Sequence, residues 1–166
     1  MRSRKSGHEQ RFENWQRLAP PQTRLLCALV VDRVVPCLAS LGFHAVQCTL
    51  GNPEWEVSGR EVELERSGEG VVDTVTFNFD KHRRPRFQVH ASRRSAQPPH
   101  PYVRAGNLVA RASQYYHFWG KPWWLPSTLW SLVGAERTAT EVATHIGQLV
   151  AMLENGERGR HVSRAT

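Results

Sequence analysis

The stretch "VVDTVTFNFDKHRRPRFQVHAS", Val71 to Ser92, decides the fold. Val75, Phe77 and Phe79 alternate with Thr74, Thr76 and Asn78. Phe87, Val89 and Ala91 alternate with Arg86, Gln88, His90 and Ser92. Successive side chains of a strand point to opposite faces, so each segment carries one apolar and one polar face. That is the pattern of an antiparallel sheet packed on one side and solvated on the other. The short separation between the two segments makes a hairpin the natural connection.

Upstream, "REVELER" alternates Val62 and Leu64 against Glu61, Glu63 and Glu65, and "SGEG" reads as the turn into Val71. "HAVQCTL" and "EWEVSG" read as two more short strands. Before them, "PPQTRLLCALVVDRVVPCLASLGF" places Leu26, Leu29, Val30, Cys37, Leu38 and Leu41 on one helical face and Asp32 and Arg33 on another. Pro20 and Pro21 suit a helix start. Pro36 should kink or split the helix. Gly42 suits a left-handed stop that lets Phe43 fold back on Leu38. Downstream, "RRSAQPPHPYVRAG" reads as a mobile, proline-rich loop. Residues 107–119 fit a helix face (Leu108, Ala112, Tyr115, Trp119) and a strand equally well. "KPWWLPSTLWSLVGAER" reads as a loop with at most a short helical turn. Thr138 and Glu141 form a capping box ahead of the stripe Val142, Ile146, Leu149 and Leu153, and Asn155-Gly156 ends that helix. The order predicts an α+β fold: an antiparallel sheet of about four to six strands with N- and C-terminal helices packed on one face. One domain spans 15–155, flanked by basic flexible tails at 1–14 and 156–166.

The element "PCLASLGF" (Pro36 to Phe43) resembles the opening of a bacterial family of domains of unknown function. The "VTFNFDK" and "RFQVHAS" strands, the pair Trp123-Trp124 and the closing helix follow in the family's order. The likeness covers roughly 15–155, and the proline-rich loop at 96–101 is longer than the family pattern. The resemblance implies this fold and a bacterial source, and brings no catalytic or binding residue with it.

The net charge of +7 raises the question of a nucleic-acid partner. Six of the 22 basic side chains lie at the chain ends, 1–5 and 156–166, against Glu157 alone, which leaves 16 basic and 14 acidic residues from 6 to 155. The body is thus close to neutral. The N-terminus lacks the apolar run of a secretory signal. The longest apolar run, Leu25 to Val31, is too short to span a bilayer. Three cysteines without C-x-x-C spacing, Cys27, Cys37 and Cys48, suit buried thiols in a reducing cytoplasm. Phosphate-loop, dinucleotide, zinc-protease and serine-hydrolase motifs are absent. The histidines, with His82 beside Arg83, Arg84 and Arg86, do not have metal-ligand spacing, so neither a metal nor a cofactor is expected. Glu61, Glu63 and Glu65 share a strand face and permit acid–base work. The simpler expectation is cross-strand ion pairing of this acidic segment with Lys81, Arg83, Arg84, Arg86, Arg93 and Arg94.

The aromatic run from Tyr115 to Trp130 has two readings. Trp123, Trp124 and Trp130 can plug the core between Pro122 and Pro126. Tyr115, Tyr116, Phe118 and Trp119 cannot all face one core with His117 between them, so at least two side chains of 115–119 are expected to be exposed or to bind something. With Arg86, His90, Arg104 and Lys121 they form the expected binding surface, beside the proline-rich loop. A binding domain for a protein partner is the first expectation, a nucleic-acid accessory protein the second, and an enzyme with dispersed Glu and His residues the third.

Overall fold

A computed structural model describes residues 14, 17–46, 61–109, 117–118, 124 and 126–164, with the backbone alone at 117–118 and 127–132. Six strands form an antiparallel sheet in the order β1-β2-β3-β4-β5-β7: β1 (His44–Ala45), β2 (Glu61–Gly68), β3 (Val71–Phe79), β4 (Arg86–Ser95), β5 (Tyr102–Leu108) and β7 (Val162–Arg164). The two-residue β6 (His117–Phe118) pairs with the start of β4. The fold is α+β, with the helices α1 (Pro21–Leu29), α2 (Val35–Ser40) and α3 (Ser127–Asn155) on the apolar face.

The alternation in Val71–Ser92 sets that face. Register aligns Val62, Phe77, Val89, Leu108 and Val162 in one row. Leu64, Val75 and Ala91 form the next row, and Phe79 and Phe87 a third. Phe77, Phe79 and Phe87 are fully buried against one another, with ring centroids 5.5 and 6.2 Å from Phe87. Leu26, Val30, Val34 and Leu38 cover these rows from the N-terminal helices, and Val142, Ile146, Leu149 and Leu153 from α3. Each large side chain buried this way contributes about 1.5–3 kcal/mol.

Pro36 splits the first helix through a change of winding. Val30–Val34 is a π turn between α1 and α2, and the Val35 N–H reaches back five residues to the Val30 carbonyl. A wider turn lets the chain pass a proline that has no N–H to give. The predicted stop forms as expected: Gly42 takes φ +86°, its N–H bonds to Ala39 and that of Phe43 to Leu38, and Phe43 is buried.

Several expectations need correction, and the choice left open at 107–119 is decided in part. The helix α3 begins at Ser127, after Pro126, so Thr138 is a buried interior residue and not a cap. The apolar stripe extends back through Ala135 and Ala139, which the capping motif at Thr138 masked. The proline-rich loop is confined to 96–101, because Arg93–Ser95 belong to β4 and Tyr102–Gly106 to β5. Residues 107–108 and 117–118 are strand. Residues 162–164, assigned to a flexible tail, form an edge strand on Gly106–Leu108. Gly106 has no side chain to place there: a Cβ would lie 2.6 Å from Met152 Cε and 2.9 Å from the Ser163 carbonyl. Cys27 is buried as expected, whereas Cys37 is half-buried with its thiol on the Arg33 carbonyl; Cys48 lies outside the described residues.

Candidate functional site

Three places outside the apolar core gather the chemistry-bearing side chains. The first is the sheet face away from the helices. Register sets Glu63, Thr76, His90, Asn107 and Ser163 in one row. Glu65, Thr74, Ser92 and Ala105 form a neighbouring row, and Glu61, Asn78 and Gln88 another. His90 Nδ1 lies 3.0 Å from Asn107 Oδ1. An amide oxygen only accepts, so Nδ1 is the donor in that contact. Thr74 Oγ1 is buried with no hydrogen-bond partner among the described residues. Burial, then the like charges of Glu65 and Glu61, push the Glu63 carboxyl up, against the pull of Arg94. With strands about 4.8 Å apart, Glu63 stands about 10 Å from His90, too far for direct proton exchange.

The second place is the β3–β4 turn. Asp80 accepts hydrogen bonds from the Arg84 and Arg86 guanidiniums and from the His82 N–H. Burial alone would raise its carboxyl, but these donors hold it at about 2. A cleft of about 250 Å³ beside it is lined by Asn78, Lys81, His82, Arg84, Arg86 and Gln88. The third place is the outer edge of β5. Tyr102 is 69% and Val103 52% exposed. The Arg94 guanidinium lies 6.0 Å from the Tyr102 ring centroid. A groove of about 440 Å³ runs along this edge, lined among the described residues by Tyr102, Val103, Arg104, Ala105, Met152 and Arg164.

The expected site residues are divided among these places. Arg86 and His90 share the polar sheet face, but the Arg86 guanidinium is bound to Asp80. Phe118 is paired in register with Arg86, which brings the aromatic run to the edge of β4. Arg104 stands opposite Arg93, on the helix side of the sheet, and donates to the Leu153 and Glu154 carbonyls at the end of α3. A cation there complements the negative end of the helix. Tyr115, Tyr116, Trp119 and Lys121 lie outside the described residues. Trp124 is 66% exposed, so it is no part of a core plug; Trp123 and the Trp130 side chain lie outside the description.

Sequence reasoning missed Tyr102, Val103 and Arg164, because the prolines at 98, 99 and 101 disguised β5 as loop. Cross-strand ion pairing is present, but its centre is Asp73 rather than the β2 glutamates. Asp73 accepts from Arg93 at 2.6 and 2.8 Å and from Arg66 at 2.7 Å, and Arg66 also reaches Glu154 at 2.9 Å. Across the polar face Glu65 and Arg94 approach only to 3.9 Å. Among the described residues no three His, Cys, Asp or Glu side chains are arranged to hold a metal ion. No described helix is long and apolar enough to cross a membrane. No protein family, curated protein or solved structure matches the chain.

Proposed function

We propose that this chain is a binding module that recognises a protein partner through an aromatic and arginine surface, centred on the outer edge of β5 beside the 96–101 loop. The observation that carries the reading is the pair of contiguous, exposed large side chains, Tyr102 and Val103, flanked by Arg94, Arg104 and Arg164. Exposed apolar side chains on an edge strand are a liability that a partner removes, and tyrosine with arginine is the composition of interface hot spots. The arginines also favour protein over nucleic acid. Arg66, Arg86 and Arg93 are held by carboxylates, so they do not form the uncompensated track that phosphates need. A bacterial, cytoplasmic setting belongs to the same proposal. The cytoplasmic part is supported by Cys27, whose thiol burial pushes up to about 12, an inert core group with no disulfide role.

The test compares affinity capture by the wild-type chain and by a Tyr102→Ser/Val103→Ser double variant, with melting temperature as the control for folding. A partner retained by wild type and lost by an equally stable variant supports the reading. Binding of mixed-sequence single-stranded DNA or RNA that falls steeply with salt and is indifferent to the double variant would replace it with the nucleic-acid reading.

A further inference from the structure

We infer that the β5 groove takes an extended, acidic segment of the partner as an added strand, in the line that β7 leaves open. This rests on the protein-binding reading above and specifies how the partner is held. β7 pairs with β5 from Gly106 to Leu108, and among the described residues no strand pairs with Tyr102 to Ala105 on that side. The groove begins where that pairing stops, alongside Ala105 to Tyr102. An edge strand offers unpaired N–H and C=O groups along its length, and an incoming strand completes them while its alternate side chains enter flanking pockets.

The groove states which side chains suit it. Met152, itself buried, supplies a pliable thioether wall, and Tyr102 and Val103 supply exposed apolar surface. Arg104 and Arg164 supply charge, and no carboxylate lines the groove among the described residues. Arg104 and Arg164 donate to the carbonyls of Leu153, Glu154 and Gly156, which orient the guanidiniums without cancelling their charge. The nearby carboxylates, Asp73 and Glu154, are engaged by Arg66 and Arg93. A segment alternating acidic and apolar residues therefore fits on both counts.

A second copy of this chain fits poorly. Edge-to-edge pairing would set Arg104 and Arg164 against their own counterparts. The register shift opposite Arg93 and Arg94 also bends this edge, a device that discourages self-pairing. The charge obstacle does not apply to a short acidic strand, which neutralises the arginines, and a few ladder bonds suffice on a bent edge.

The experiment titrates the full chain with three fluorescent peptides: one alternating Glu and Val, its Lys-for-Glu counterpart, and the acidic peptide N-methylated at alternate residues. The acidic peptide is expected to bind about tenfold or more tighter than the other two. It should also slow amide exchange at 102–105. Arg164→Glu should weaken the acidic peptide and strengthen the basic one, an inversion that misfolding cannot produce. Equal binding of the N-methylated peptide would overturn strand addition, since only side chains would then be read. Failure of all three peptides, while the Tyr102/Val103 variant still loses a captured partner, would overturn the inference and leave the binding-module reading standing. A concentration-dependent dimer with protected 102–105 amides would overturn it in favour of a second copy.

Discussion

On the helix-covered face of the sheet, Phe77, Phe79, Phe87, Val89 and Leu108 are sealed from water, and the charged row at its end closes on itself through Arg66, Asp73, Arg93 and Glu154. On the opposite face the same strands present Thr74 with an unpartnered hydroxyl and Glu63 crowded by Glu61 and Glu65. The difference lies in whether polar groups meet opposites. The covered face joins Asp73 to two arginines, whereas the open face gathers acids on β2 and bases on β4, with β3 between them. Stability thus resides on one side of the sheet. On the other side and along the β5 edge substitution is cheap.

The contrast is sharpest in the core. Phe87→Ala should lower the unfolding free energy by about 3–5 kcal/mol, read by urea denaturation, because a fully buried ring leaves a cavity between Phe77 and Phe79. A loss below about 1 kcal/mol would mean that the covered face is not the core. Next in size is Asp73→Asn. It leaves the Arg66 and Arg93 charges facing each other across a neutral amide. Their side chains are 20% and 16% exposed, so water relieves part of the cost, and a loss of about 2 kcal/mol is expected. The same substitution at Glu65, whose ion partner is 3.9 Å away, should cost under about 0.5 kcal/mol.

How far the sequence reveals this division depends on how local each signal is. The hairpin Val71–Ser92, the Gly42 stop and the α3 stripe from Val142 to Leu153 are written in short-range periodicity, and the structure has them all. Parity also held the Asp73 network. Asp73 shares its face with Val75 and Phe77, and Arg93 shares its face with Val89 and Ala91, so both were bound for the buried side. The edges are less legible. β7 is three residues long and β5 follows three prolines, so pairing rather than propensity makes them strands. Arg104 was placed in the site by composition. Its side of the sheet follows from parity with Leu108 and Gly106, which is readable only once Tyr102–Leu108 is known to be a strand.

Acid separates the two faces in another way. Burial alone would raise Asp73 and Asp80, but hydrogen bonds from Arg93 and Arg66, and from Arg84 and Arg86, hold both carboxyls below the ordinary range, Asp80 at about 2. In the unfolded chain they return to about 3.9. Their contribution is therefore complete above the unfolded carboxylate range and is lost as pH falls through the folded values, which for Asp80 is about 2. Thermal melts between pH 5 and 2 should show the melting temperature falling through that window, and the fall should be shallower in Asp80→Asn, which has lost one of the two titrating groups. An equal slope in wild type and variant would show that Asp80 contributes nothing at this step.

The smallest expected effect has the opposite sign. Glu63 is pushed up by burial and by its glutamate neighbours, so its charged form is disfavoured in the fold relative to the unfolded chain. The fold therefore loses stability as pH rises through the carboxylate range, and the full penalty is present at neutral pH. Glu63→Gln removes that charge and keeps the shape, and should raise the unfolding free energy at pH 7 by up to about 0.5 kcal/mol. The gain should shrink as pH falls through the carboxylate range and the wild-type carboxyl takes up its proton. A carboxylate whose replacement stabilises the protein has been kept for something other than folding. If the substitution instead destabilises at pH 7, Glu63 has a favourable partner, and the open face serves stability as much as the covered one does.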